Sequence, residues 1–211
     1  GWHNNSYKLT TEYYTELICT FCRAMQIDKP VFMGCSMGGR IALHLALDYA
    51  DQLRAVVALE GADKLQPYYD TNWLNRPDIH GGEVCAGFVS GQIAPNSPEE
   101  FRWETLWAYM QSGPGVFKGD LYFYWDDGHF DHRSHEIDTK NCPVYLLSVE
   151  YDSSGTPERA EATHQRIKGS KLEVIKNIGD FPMSENPELF RCHILPILDE
   201  IRKRKNILEG I

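Results

Sequence analysis

No apolar run in this chain approaches the roughly 20 residues that a bilayer-crossing helix requires, so the sequence carries no evident helical membrane span. Positive charge is also scarce. The 21 Lys and Arg residues face 30 Asp and Glu, and the formal net charge of −9 argues against nucleic acid or an anionic membrane surface as the main partner. Cysteine is thinly spread. Cys19, Cys22, Cys35, Cys85, Cys142 and Cys192 are scattered over 211 residues, a length that needs no disulfide staples, which points to a reducing, cytoplasmic compartment. Cys19 and Cys22 do form a C-x-x-C, but it lies inside TTEYYTELICTFCRAM, where Tyr14, Leu17, Ile18, Phe21 and Met25 mark an apolar helix face. A redox C-x-x-C opens its helix, so packing is the better reading here.

What is present fits one globular core with an insertion: 42% of residues are hydrophobic and 24% charged. The pattern predicts a helix over about 10–26, a strand at PVFMG (30–34), a glycine turn, a helix to about Tyr49 and a buried strand at RAVVALEG (54–61). Regularity lapses over 64–139, with Pro67, Pro77, Pro95, Pro98 and Pro114 around short helical pieces. It resumes with strand PVYLLS (143–148), helix TPERAEATHQRIK, strand KLEVIK (171–176) and helix NPELFRCHILPILDEIRKRK. Apolar strands alternating with amphipathic helices imply an α/β fold, a mostly parallel sheet with helices on both faces. Residues 1–63 and 141–211 make its two core parts, and 64–140 the insertion.

The sharpest chemical signal is GCSMGG, residues 34–39, a G-x-S-x-G between predicted strand and predicted helix. A nucleophile on such a turn must project from the sheet edge, and its neighbours must be small because strand and helix backbones pass close together. Ser36 is the candidate nucleophile. The backbone N–H of Met37, at the helix N-terminus, is a candidate oxyanion donor.

On these residues the chain resembles the α/β-hydrolase superfamily. KPVFMGCSMGGRIALHLALDYADQLRAVVALEGA is similar to its central segment, and PVYLLSVEYDSSGTPE with LEVIKNIGDFPMSENPELF to its acid and histidine segments. The resemblance implies Ser36 as nucleophile, Asp152 as the triad acid and position 180 as the base, in the order Ser, Asp, His. Two positions depart from it. Val149 stands where the family usually has glycine, and Asp180 where it has histidine.

A carboxylate with an ordinary pKa near 4 is a poor acceptor for a serine proton at neutral pH, although a second carboxylate nearby raises it. Three readings stay open: a working hydrolase whose base was replaced, a natural relative that binds without turnover, or a base displaced to the histidines of DDGHFDHRSHEID, His129, His132 and His135. The H-x-x-H-x-x-H spacing does not converge on one point in a helix or a strand, so a solvated rim loop is preferred to a metal site. His44, His164 and His193 read as ordinary helix residues.

The resemblance also makes 64–140 a helical cap. It holds Trp73, Trp103, Trp107 and Trp125 beside Tyr68, Tyr69, Tyr124 and Phe117, which favours a small apolar or aromatic substrate. Trp103, Trp107, Trp125 and His129 are the candidate substrate-binding residues. The expected reaction is cofactor-free hydrolysis of an ester, lactone, carbamate or amide through acyl-Ser36, without metal. In front of PVFMG there is room only for GWHNNSYK and one helix, so the family's N-terminal strands and second oxyanion donor are missing. The expectation is a missing N-terminal segment or partner chain, or a homodimer formed through the exposed strand edge.

Overall fold

The computed structural model describes residues 8–65, 78, 81–111 and 122–209, with the backbone alone at 81, 82, 85 and 205–209. Strands β1 (Val31–Cys35), β2 (Ala55–Leu59), β3 (Val144–Tyr151) and β4 (Lys171–Gly179) form one sheet in the order β1-β2-β3-β4. Every pairing is parallel, with Val31 opposite Ala55, Val56 opposite Val144 and Tyr145 opposite Lys171. Helices α1 (Thr11–Ala24), α2 (Met37–Asp48), α3 (Gly81–Ser90), α4 (Glu99–Met110), α5 (Pro157–Arg166), α6 (Pro182–Glu185) and α7 (Pro187–Glu209) complete the described chain.

Strand alternation sorts the core into two layers. Val56, Ala58, Val144 and Leu146 meet Leu43, Leu45 and Ala46 of α2, with Phe123 and Phe130 closing that side. Ala55, Val57, Leu59, Tyr145 and Leu147 meet Phe190, Ile194, Ile197 and Ile201, which lie along one stripe of α7. A strand such as AVVAL, buried at every residue, is what a sheet covered on both faces requires.

Two expectations are corrected. The last strand does not stop at residue 176 but runs on to Gly179, and Asp180 is the first residue beyond it. The apolar face expected of α1 divides: Tyr14, Ile18 and Cys19 pack against the α2 side of the core. Leu17, Phe21 and Met25 join Tyr13 in a stripe between 50% and 59% exposed. The helix carries apolar residues around more of its circumference than α2 covers. β1 is one of the two outer strands of the described sheet, and Met33 upon it is exposed.

Between β2 and β3, α3 and α4 pack on each other and α4 on α6, with Val89, Ile93 and Phe181 buried among Phe88, Leu106 and Tyr109. Trp73, Tyr68, Tyr69 and Phe117 lie outside the described residues. Cys19, Cys22, Cys35, Cys142 and Cys192 are free thiols. Among the described residues no helix is long and apolar enough to cross a membrane.

Candidate active site

Ser36 sits between β1 and α2 with φ 54° and ψ −111°, a conformation that L residues rarely adopt. Its N–H donates to the Leu59 carbonyl at 2.8 Å, and its own carbonyl accepts from Arg40 N–H at 3.1 Å. The turn closes because its neighbours lack side chains: a Cβ on Gly34 would stand 2.2 Å from the Gly38 carbonyl oxygen. The Ser36 hydroxyl makes no capping bond to α2 and lies 3.3 Å from the Tyr124 hydroxyl. Met37 opens α2, so its N–H belongs to the helix-terminal donors left without an intrahelical partner.

Buried Arg40 fixes this arrangement from below. Its Nε donates to the Ala62 carbonyl at 3.0 Å and its Nη1 to the Tyr124 carbonyl at 2.6 Å, tying the turn 123–127 to the elbow. Burial lowers its pKa to about 10. His44, expected to be an ordinary helix residue, is buried too. It contacts the Gly128 carbonyl through Nε2 at 3.0 Å, and burial lowers its pKa to about 4, so the ring is neutral and its Nε2–H is the donor.

The acids gather at the C-terminal ends of the strands. Asp152 follows β3; its Oδ1 accepts from Ser154 N–H at 2.5 Å and Ser154 Oγ at 2.8 Å, and its Oδ2 from Gly155 N–H at 2.7 Å. Burial raises its pKa against the pull of those donors. Asp180 is held by its main chain, whose N–H donates to the Gln92 carbonyl at 3.0 Å, while Oδ1 has no hydrogen-bond partner. Burial first, then the charges of Asp152 and Glu185, pushes its carboxyl well above the usual carboxylate range.

Sequence reasoning missed three residues here. Glu60, at φ 51° just beyond β2, accepts the Cys35 thiol on Oε2 at 2.9 Å. Burial, followed by Asp180, raises its pKa well above normal. An acid closing the apolar run AVVAL at the ligand-bearing end of a parallel sheet was a usable signal. Glu185 is buried and saturated, accepting Ala94 N–H at 2.8 Å, Ser97 Oγ at 2.7 Å and Phe181 N–H at 3.2 Å. Tyr124 had no local signal, since its partner is 88 residues away.

Of the other candidates, Trp125 is half-buried beside Tyr124, Leu65 and Ala62. His129 is half-buried, with its buried Nε2 lacking a hydrogen-bond partner, and desolvation lowers its pKa. His132 and His135 are exposed, and among the described residues no histidine nitrogen hydrogen-bonds to Ser36. Trp103 and Trp107 do share a face of α4, but it is the solvent face, where they are 64% and 65% exposed. The inward residues of α4 are Leu106 and Tyr109. Among the described residues no group of three or more His, Cys, Asp or Glu is placed to hold a metal ion.

A pH dependence follows from the buried acids. In the folded chain Asp180 keeps a proton that the unfolded chain releases above about pH 4. Its contribution to stability is therefore complete below that pH and is lost as pH rises through the folded pKa. Asp180→Asn, which cannot ionise, should gain in melting temperature on the parent chain as pH rises from 4. A difference constant with pH would show that folding leaves the Asp180 pKa unraised.

A family model described as "alpha/beta hydrolase fold" matches residues 2–84. The enol-lactonase from Burkholderia xenovorans LB400 superposes with a TM-score of 0.77 at 17% identity, over 93% of this chain and 76% of that one. A thermophilic esterase from Thermogutta terrifontis gives 0.72 at 21% identity, over 92% and 74%. The pimeloyl-[acyl-carrier protein] methyl ester esterase of Neisseria meningitidis serogroup A / serotype 4A is 24% identical over 212 aligned positions. That alignment takes in 84% of this chain and 61% of the relative's length. With its parallel sheet and its strand, elbow and helix around Ser36, the chain is a protein of the α/β-hydrolase fold.

Proposed function

We propose that this chain acts as a serine hydrolase on a small apolar or aromatic ester, lactone, carbamate or amide, at a rate limited by the carboxyl group at position 180. The observation that carries the reading is Ser36 itself: a strained residue on a strand-to-helix turn, its hydroxyl free of the helix it precedes. Such strain is retained where it aims a reacting group. The esterases and the lactonase that resemble this chain support the substrate class.

In the proposed reaction Ser36 Oγ attacks the acyl carbon while its proton passes to Asp180, and the Met37 N–H holds the developing oxyanion. The proton then goes to the departing alkoxide or amine, and water repeats the sequence on acyl-Ser36. The route uses side chains and water alone. Because Asp180 binds its proton tightly, the rate rises with pH as the carboxyl ionises. In this reading residues 64–140 serve as the cap, and half-buried Trp125 and His129, not the exposed Trp103 and Trp107, are its candidates to meet the substrate.

A fluorophosphonate probe tests this reading. It should label Ser36, faster at higher pH, and leave Ser36→Ala untouched, as read by peptide mass. A folded parent chain that is never labelled at any pH would instead identify a non-catalytic ligand-binding protein on the same fold.

A further inference from the structure

Across an irregularity after Val149, β3 and β4 remain paired as far as Tyr151 opposite Gly179, so Asp152 and Asp180 are the first residues beyond the paired strands. Past that point, among the described residues, no backbone hydrogen bond joins 152–156 to 180–186. The gap is spanned from the connection between α3 and α4. Gln92, 4% exposed, accepts the Asp180 N–H on its carbonyl oxygen at 3.0 Å, and its side-chain Nε2 donates to Ser153 Oγ at 3.2 Å. The approach to β4 is close: a Cβ on Gly179 would run into the Gln92 carbonyl oxygen and stand 2.8 Å from the Ala94 nitrogen. Gln92 is itself anchored. Its N–H donates to the Val89 carbonyl at 2.9 Å where α3 ends, and Ile93 beside it is buried with Val89 and Phe181. An amide suits this place, because it supplies N–H donors without adding charge between two loops that each carry a buried acid.

We propose that Gln92 is a positioning residue: it holds the loop that carries Asp152 and the loop that carries Asp180 at a fixed separation, and so ties the placement of both carboxyls to the docking of α3 and α4. The role given to those carboxyls rests on the serine hydrolase reading. Gln92 touches neither carboxyl group itself. Its side chain grips the residue between Asp152 and Ser154, whose N–H and Oγ orient Asp152 Oδ1, and its main chain grips Asp180 directly.

Gln92→Leu, Ser153→Ala and the double variant of the whole chain test the proposal, read by hydrogen exchange of the Ser154 and Gly155 amides and by the rate at which a fluorophosphonate labels Ser36. Each single variant should speed exchange by about fivefold, the effect of one lost hydrogen bond, and slow labelling by a similar factor. The double variant should add nothing further, because both changes break the same bond. Ser153→Thr, which keeps the hydroxyl, should behave as the parent. Unchanged exchange in either single variant, additive effects in the double, or exchange that responds while labelling does not would overturn the proposal. If Gln92→Leu fails to fold, Ser153→Ala at its exposed position breaks the same bond and decides alone. If exchange responds as expected while neither the parent nor any variant is ever labelled, the bridge between the loops stands and the hydrolase reading falls.

Discussion

Asp180→His should raise ester hydrolysis by roughly 10³-fold at neutral pH, since loss of a triad member removes three or more orders of magnitude. An imidazole with an ordinary pKa near 6.5 accepts a proton in the range where the buried carboxyl of Asp180 is already protonated. The place is prepared for it. Asp152 lies close enough to influence Asp180 strongly, and its oxygens, oriented by Ser154 and Gly155, retain lone pairs for an imidazole N–H. The measurement is a panel of short-chain and aryl chromogenic esters, with Ser36→Ala in the same background as the blank. Rates unchanged by histidine, or surviving the loss of Ser36, would remove Ser36 from the chemistry.

Gly39→Ala should cost about 3 kcal/mol or more of folding stability. A Cβ there would stand 2.4 Å from the Leu59 carbonyl oxygen and 3.0 Å from the Gly61 backbone. The conflict is mutual, because a Cβ on Gly61 would meet the Gly39 backbone at 2.7 Å. Neither side can yield by rotating a side chain; α2 would have to move off β2. One residue earlier the same change should be nearly neutral, since a Cβ on Gly38 meets nothing within 4 Å and alanine suits a helix better than glycine. Urea denaturation of both variants checks the contrast: the midpoint should fall sharply for Gly39→Ala and stay within about 1 kcal/mol of the parent for Gly38→Ala. Equal midpoints would mean that the elbow is not closely packed.

The core was legible because its strands are short apolar runs and its helices carry one-sided stripes, signals that span neighbouring residues. RAVVALEG and PVYLLS locate β2 and β3, and Phe190, Ile194, Ile197 and Ile201 give the face of α7. The glycines around Ser36 marked the elbow for the same local reason. What stayed hidden depends on residues far apart in the chain. Tyr124 meets Ser36 from 88 residues away, and Arg40 holds it there from inside α2. α1 misled because Leu17, Phe21 and Met25 obey helical spacing as well as Tyr14 and Ile18 do, and spacing does not say which side α2 covers. Trp103 and Trp107 misled likewise: aromatic composition suggests a pocket wall, but orientation on α4 is a tertiary property.

The loop after β4 is fastened by groups other than the side chain at 180: the main-chain bond to Gln92 and the three bonds to Glu185. The shape of the loop is thereby uncoupled from the chemistry of the group that it carries. A change of side chain at position 180 leaves all four of these bonds in place.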